Sequence, residues 1–229
     1  MDHVCGRRGV TAGRDISANL NELVDIRRIE NPRRYLSRMT TCCCVASQHA
    51  SSDLLTMLLD KGARTDVTDG FGDTPLHKAC RSDYDHVEKA RLLLRMDCRQ
   101  VNSGNQNGTT PLHIAAKHRD PALLAVLLAV PRLNVNAVSK KGLTALHVAA
   151  HFNRVRNVEH LLAVSNIDVN VQDVNGDTAA HHAAFREHRD VHELIAAHPK
   201  HWAPLKNRLD QTAADCAQAA LKNSVFFFD

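Results

Sequence analysis

A four-residue pattern recurs along the chain at a nearly constant interval. Thr74-Pro75-Leu76-His77 returns as Thr110-Pro111-Leu112-His113, Thr144-Ala145-Leu146-His147 and Thr178-Ala179-Ala180-His181, and it decays into Thr212-Ala213-Ala214-Asp215. The leading threonines lie 36, 34, 34 and 34 residues apart, and one period before Thr74 lies Thr41. Such a period is typical of small units that bury their apolar faces against their neighbours. The pattern therefore predicts six stacked units, beginning near residues 41, 74, 110, 144, 178 and 212.

Each unit repeats the same order of structural signals. In four units a glycine two residues before the threonine suits a tight turn. The threonine suits a helix N-cap, and proline or alanine suits the first helical turn. An alanine pair and a second apolar run follow, and the unit ends in an extended Val-Asn pair such as Val135-Asn136. These signals predict an all-α fold of helix-turn-helix units with projecting β-hairpin-like loops.

The T-P-L-H-x-A pattern, repeated about every 33 residues, resembles the ankyrin repeat. The likeness extends over residues 41–221, and the first and last copies are degenerate. This resemblance implies an ankyrin-repeat solenoid. It also implies a concave face, formed by the hairpin tips and the inner helices, that binds other proteins.

The segments outside the repeats complete the predicted domain organisation. Residues 1–40 form an N-terminal segment, in which apolar residues at helical spacing predict a capping helix over 16–29. The repeat domain occupies 41–221. Residues 222–229 form a C-terminal tail whose three phenylalanines, Phe226 to Phe228, are expected to pack as part of a cap.

Composition and charge exclude several classes of protein. Only 4% of the 229 residues are aromatic, whereas a single thick core would use more large rings. No segment approaches the ~18 consecutive apolar residues of a membrane-spanning helix, so no membrane partner is expected. The net charge of +4 is mild, which disfavours nucleic-acid binding. The arginines that would carry such binding are Arg27, Arg28, Arg33 and Arg34.

The sequence contains no recognisable catalytic or metal-binding constellation. The pairs His147/His151 and His188/His192 have zinc-ligand spacing, but His147 is already explained as the histidine of the repeat motif. Cys42, Cys43 and Cys44 fall in the Pro-Leu-His positions of the first unit, where they suit core packing; lipidation or redox sensing is the alternative. We therefore expect no enzymatic activity, no cofactor and no metal, and a reduced intracellular setting.

The repeat register also predicts which residues face a partner. Phe152 and Phe185 follow the inner helices of adjacent units, where side chains face water, and cations surround them. An aromatic anchor among cations is a common binding hot spot. We predict that these positions bind an acidic, partly apolar protein segment. The predicted set is Phe71, Arg81, Lys117, His118, Lys140, Lys141, His151, Phe152, Phe185 and Arg186.

The resemblance to ankyrin proteins implies one modification. Asparagine hydroxylation in that family follows a leucine eight residues before a hairpin asparagine. Asn102, Asn136 and Asn170 satisfy this spacing, although the repeat generates it automatically.

The sequence thus predicts a non-enzymatic scaffold for protein–protein interaction in the cytoplasm or the nucleus. The number of repeats resembles the inhibitors that sequester Rel-type transcription factors. The alternative is an adaptor or substrate receptor that recruits targets to a ubiquitin ligase or a signalling complex.

Overall fold

The helices of the computed structural model, which describes residues 43–225, follow the sequence repeat. Residues 43–49 are helical, and a 3-10 helix spans Cys98–Asn102. The numbered helices are α1 (Ser52–Asp60), α2 (Pro75–Cys80), α3 (His86–Met96), α4 (Pro111–Lys117), α5 (Ala122–Leu128), α6 (Ala145–His151), α7 (Val155–Leu162), α8 (Ala179–Phe185), α9 (Arg189–Ala196) and α10 (Ala213–Val225). Within 43–225 the only β-type pairing is an isolated bridge between Lys206 and Thr212. The predicted all-α fold is confirmed.

Several predictions fall outside the residues that the structure describes. They are the capping helix over 16–29, the arginines Arg27, Arg28, Arg33 and Arg34, the first cysteine of the triplet, Cys42, and the tail phenylalanines Phe226, Phe227 and Phe228. The limits proposed for the three segments of the chain stay predictions.

The inner helices begin at the threonine of the motif, as predicted. In α6, Thr144 and His147 form a capping box, in which the Thr144 hydroxyl accepts from the His147 backbone N–H. His147 Nδ1 accepts from the Thr144 backbone N–H at 3.1 Å, so the proton of the neutral ring lies on Nε2. Nε2 donates to the Asp177 carbonyl of the next repeat at 3.1 Å. The same arrangement recurs at His77, His113 and His181.

Small side chains hold the stack together. Inner helices α2, α4, α6, α8 and α10 pack in succession, and the outer helices α1, α3, α5, α7 and α9 pack in a parallel row. Ala115, Ala149 and Ala183 are completely buried between inner helices. Because alanine lets two helices approach closely, each layer is thin and needs no large ring. This explains the low aromatic content of the chain.

On one side of the stack, which we call the hairpin side, each loop tip bonds to the preceding tip. The Lys140 N–H donates to Asn107 O at 2.9 Å, and the Val174 N–H donates to Lys141 O at 3.1 Å. Gly142 adopts φ +74, and a Cβ there would lie 2.8 Å from the Asp173 Cα. The turn glycine is therefore required both by its backbone conformation and by the closeness of the next repeat.

On the other side, which we call the helix-end side, each inner helix ends in carbonyls that accept side chains from the next repeat. Such carbonyls have no partner within their own helix. The donor varies along the stack, although histidine serves twice: Ser82 to Gln48 O, His118 to Cys80 O, Arg154 to Lys117 O, Asn157 to Ala116 O, and His188 to Ala150 O.

Lys89 is the least expected member of the helix-end side. Its side chain is completely buried, and its ammonium donates to the Ser82 hydroxyl at 2.8 Å. Lys89 lies four residues after Asp85, whose φ is +52, just as Asn157 lies four residues after Asn153, whose φ is +53. The two polar side chains thus occupy equivalent places in their repeats. Burial lowers the pKa of Lys89.

Candidate functional site

An exposed aromatic ring and a cation from adjacent repeats meet beside the inner helices. Lys117 ends α4, Phe152 directly follows α6, and the Lys117 ammonium lies 4.8 Å from the centre of the Phe152 ring. The ring is 37% exposed. A cation at this distance is attracted by the ring face. Two residues that are 35 positions apart in the sequence therefore form one surface feature.

The same surface continues into the next repeat. Phe185 ends α8 and is 48% exposed. Its neighbour Arg186 donates through Nη2 to Nε2 of His151 at 2.9 Å, and the His151 ring lies edge-on to Phe152 with 5.0 Å between ring centres. Burial, followed by the Arg186 charge, lowers the pKa of His151, which favours the neutral acceptor form. We call Lys117, His151, Phe152, Phe185 and Arg186 the aromatic–cation cluster.

Two predicted residues lie toward the first described repeats. Phe71, at a hairpin tip, is 71% exposed, and the Lys78 ammonium lies 6.0 Å from its ring centre. Arg81 forms an ion pair with the buried carboxylate of Asp73. Its charge is therefore balanced within the fold, whereas the Phe71 ring is open to contact.

His118 is engaged between repeats. Its Nε2 donates to Cys80 O at 2.6 Å, and its ring lies 5.0 Å from that of His86. Burial lowers its pKa. The hydrogen-bonding capacity of Nε2 is thus already used at the helix-end side.

Lys140 and Lys141 occupy an exposed hairpin tip. Their backbone atoms belong to the hydrogen bonds of the hairpin side, and neither ammonium forms an ion pair with any described residue. Both charges therefore stay open to an approaching partner.

Sequence reasoning missed a cavity of about 660 Å³ at the inner-helix face. Arg81, Lys117, Arg119 and Arg154 supply cations to its lining, and no aspartate or glutamate is among the lining residues within 43–225. Arg119 and Arg154 come from different repeats and carry no motif. Their positions after the inner helices were the only available signal.

The three hairpin asparagines each bridge two repeats. The amide of Asn136 donates to Asn166 O at 2.8 Å and accepts from the Asp168 N–H at 2.9 Å. Asn102 and Asn170 form the equivalent pairs of bonds with the repeats that follow them. Both ends of each amide are therefore engaged in the fold.

Three of the cysteines and histidines singled out in the sequence, Cys43, Cys44 and His147, are buried parts of the fold. Cys43 and Cys44 are buried, and burial raises the pKa of the Cys44 thiol to about 11, which disfavours the reactive thiolate. Burial and the neighbouring His182 lower the pKa of His147 to about 4.

The described residues also bring Asp173, Asp177 and His182 together, with possible ligand atoms within 4.8 Å of one another. These groups already bond to the protein. The His182 Nε2 donates to Asp173, and the Asn207 amide donates to Asp177. Hydrogen bonding within the fold thus accounts for the cluster.

Comparison with known proteins gives one family. A family model described as ankyrin repeats (3 copies) matches residues 43–135 and 120–207. The probable E3 ubiquitin-protein ligase XBOS33 of Oryza sativa subsp. japonica is 31% identical over 130 residues, which cover 54% of this chain and 24% of that protein. The neurogenic locus Notch protein of Drosophila melanogaster is 38% identical over 73 residues, which cover 32% of this chain and 3% of that protein.

A third relative is the tyrosine-protein kinase Shark of Drosophila melanogaster, which is 34% identical over 90 residues, or 39% of this chain and 9% of the kinase. The chain thus matches only about a quarter or less of the length of these relatives. Within the described part of the chain, no helix is both long and apolar enough to cross a membrane.

Proposed function

Because the chain belongs to the ankyrin-repeat family, we propose that it is a scaffold that binds a partner protein through its inner-helix face. Ankyrin repeats are modules of protein–protein interaction. The aromatic–cation cluster favours this face as the binding site, because two exposed rings and two cations lie there in adjacent repeats. Such clusters supply most of the affinity at many interfaces.

The chemistry of the face favours an acidic and partly apolar partner segment. Phe152 and Phe185 offer apolar area, while Lys140 and Lys141 add two unpaired charges at a hairpin tip. Charges at the rim of an interface mainly accelerate association and make it sensitive to salt.

The test combines partner capture with measured affinity. Proteins captured from cell extract are identified by mass spectrometry, and the affinity of the purified partner is measured by calorimetry. Replacing both rings (Phe152→Ala with Phe185→Ala) should weaken binding by about 2 kcal/mol, roughly thirtyfold. Lys140→Glu with Lys141→Glu should mainly slow association. Trp202→Ala removes an exposed ring outside the cluster and serves as the control. Equal losses from Trp202→Ala and the double variant would contradict the assignment of the face.

We propose sequestration of the partner as the biological role, similar to the inhibitors of Rel-type transcription factors, with action in the cytoplasm or the nucleus. The similarity to a probable ubiquitin ligase of rice favours the alternative, an adaptor that recruits a target to a ligase or signalling complex. Partner turnover after loss of this protein separates the two roles. A sequestered partner keeps its abundance and gains activity, whereas a recruited target accumulates.

Hydroxylation of Asn102, Asn136 or Asn170 stays a second proposal about this domain. The spacing of leucine and asparagine supports it. Peptide mass spectrometry of the protein expressed in cells should find a gain of one oxygen atom on one of the three residues, with Asn170 as the first candidate. Unmodified peptides at all three positions would refute it.

A further inference from the structure

The cavity at the inner-helix face concentrates positive charge. Of its four cations, Arg81 is paired with Asp73, whereas Lys117, Arg119 and Arg154 form no ion pair with any residue in the described range. Asp120, the acidic residue next to Arg119, caps the start of α5, where its Oδ1 accepts from the Ala122 N–H at 2.9 Å. The unpaired charges are therefore not neutralised by the described residues of the cavity lining.

These cations come from two adjacent repeats and line the same cavity. Arg154 donates through Nε to Lys117 O at 2.6 Å, which anchors its guanidinium and leaves both Nη groups without a partner among the described residues. Burial and the nearby charge of Arg119 lower the pKa of Arg154. Because both guanidinium groups line one cavity, they repel each other, and an anion bound between them would relieve this repulsion.

The number of donors indicates the kind of anion. Three unpaired cations exceed what one carboxylate, with a single charge and two oxygens, can balance. A phosphate monoester carries nearly two charges and three acceptor oxygens at neutral pH. Guanidinium groups bind such oxygens in pairs of charge-assisted hydrogen bonds.

We propose that the cavity formed around Lys117, Arg119 and Arg154 binds a phosphorylated serine or threonine in the segment of the partner protein. The inference rests on the proposed function, in that the phosphorylated segment would continue along the inner-helix face to the rings of Phe152 and Phe185. The Lys117 ammonium, which contacts Phe152, lies at the junction of the two subsites.

The test requires no knowledge of the partner. A five-residue peptide of alanines around a central phosphoserine is titrated into the full chain, and the backbone amide signals of residues 117–119 are followed by NMR at constant ionic strength. The unphosphorylated peptide and the peptide with glutamate at the centre are the reference ligands. We expect saturable shifts with phosphoserine, and binding at least about tenfold weaker with glutamate.

A matched pair of variants locates the site. Arg119→Glu should weaken phosphoserine binding by at least about tenfold, because it removes one bidentate donor and adds a like charge. Arg91→Glu makes the same change of charge at an exposed position of α3 and should leave binding unaltered. Equal effects of the two variants would overturn the proposal, as would equal binding of the phosphorylated and unphosphorylated peptides.

A titration with a single-stranded oligothymidylate tests whether the cavity binds nucleic acid instead. If it binds at residues 117–119 while the phosphopeptide does not, the cavity is a nucleic-acid site and the proposal is wrong. Failure of the peptide test leaves the ring variants of Phe152 and Phe185 unaffected, so the two proposals can fail separately.

Discussion

Both sides of the repeat boundaries connect neighbouring repeats by hydrogen bonds, but the two sides use different residues to do so. On the hairpin side, the same residue types recur at the boundaries of the central repeats: the motif histidine, the hairpin asparagine and the backbone of the loop tip. On the helix-end side, the acceptors are always carbonyls at the end of an inner helix, but the donor is serine, histidine, arginine or asparagine. The hairpin side therefore repeats the same contacts, whereas the helix-end side uses several kinds of donor, with histidine at two boundaries.

This difference explains where the candidate binding groups lie. Arg154 donates through Nε to the Lys117 carbonyl on the helix-end side, and its Nη groups stay available at the cavity that it lines. A helix-end donor only has to reach a carbonyl, so different residue types can occupy its position. Where that residue is an arginine, it also adds positive charge to the inner-helix face. The hairpin side has no such freedom, because each of its histidines is fixed at both ring nitrogens.

The most severe test of the hairpin side is Gly142→Ala. We expect the free energy of unfolding to fall by about 4 kcal/mol, because alanine is strained at positive φ and its Cβ would collide with the Asp173 backbone. Gly62→Ala is the matched control, since φ is also positive there but no atom lies within 4 Å of the added Cβ. It should cost about 1 kcal/mol in urea unfolding. Equal losses would mean that the loop tips are not tightly packed.

The second test measures how the free energy of unfolding changes in acid, where a histidine of the hairpin side becomes protonated. The pKa of His147 is about 4 in the folded protein, below the 6.5 of the free side chain. The unfolded chain therefore binds more protons between these values, and stability falls as pH decreases through this window. From about pH 7 to about pH 4.5, His147 should account for a loss of about 2 kcal/mol. His147→Gln should lose less stability over this range than the wild type, while the exposed His160→Gln should match the wild type. An unchanged acid profile in His147→Gln would contradict this account.

The smallest change in the free energy of unfolding is expected for a residue of the helix-end side, Lys89, and it depends on alkaline instead of acidic pH. Burial lowers the pKa of Lys89 below 10.5, so the folded state is penalised while this lysine is charged, and the penalty fades as pH rises toward 10.5. Lys89→Met keeps most of the volume without the charge and should raise the free energy of unfolding by about 1 kcal/mol at neutral pH. The gain should shrink in alkaline solution. Lys61→Met, at an exposed position, is the control, and a destabilised Lys89→Met would show that the Ser82 hydrogen bond outweighs burial.

The same contrast explains what the sequence could and could not predict. The helices, the threonine caps and the role of the motif histidines were predictable, because each depends on residues close in sequence or one period apart. Phe152 and Phe185 could be placed after inner helices for the same reason, and both rings are exposed in the structure.

The cavity could not be predicted in this way. Its charge depends on Arg119 and Arg154, which belong to different repeats and to no motif, and on a lining that, among the described residues, includes no acid. The pairing of Lys89 with Ser82 was equally hidden, because an insertion in the second repeat shifts its register. Periodicity predicts positions that recur, whereas these contacts each occur once.

The constant carbonyls of the helix-end side have an evolutionary consequence. When a repeat is duplicated within a gene, its hairpin side fits its new neighbour at once, because donors and acceptors recur at the same offset. Its helix-end side also fits, provided that the copy carries any donor long enough to reach a carbonyl. Ser82, His118 and Arg154 show how different such donors are. Substitutions there can therefore change the charge of the proposed binding face, while the hydrogen bonds of the loops keep the repeats aligned.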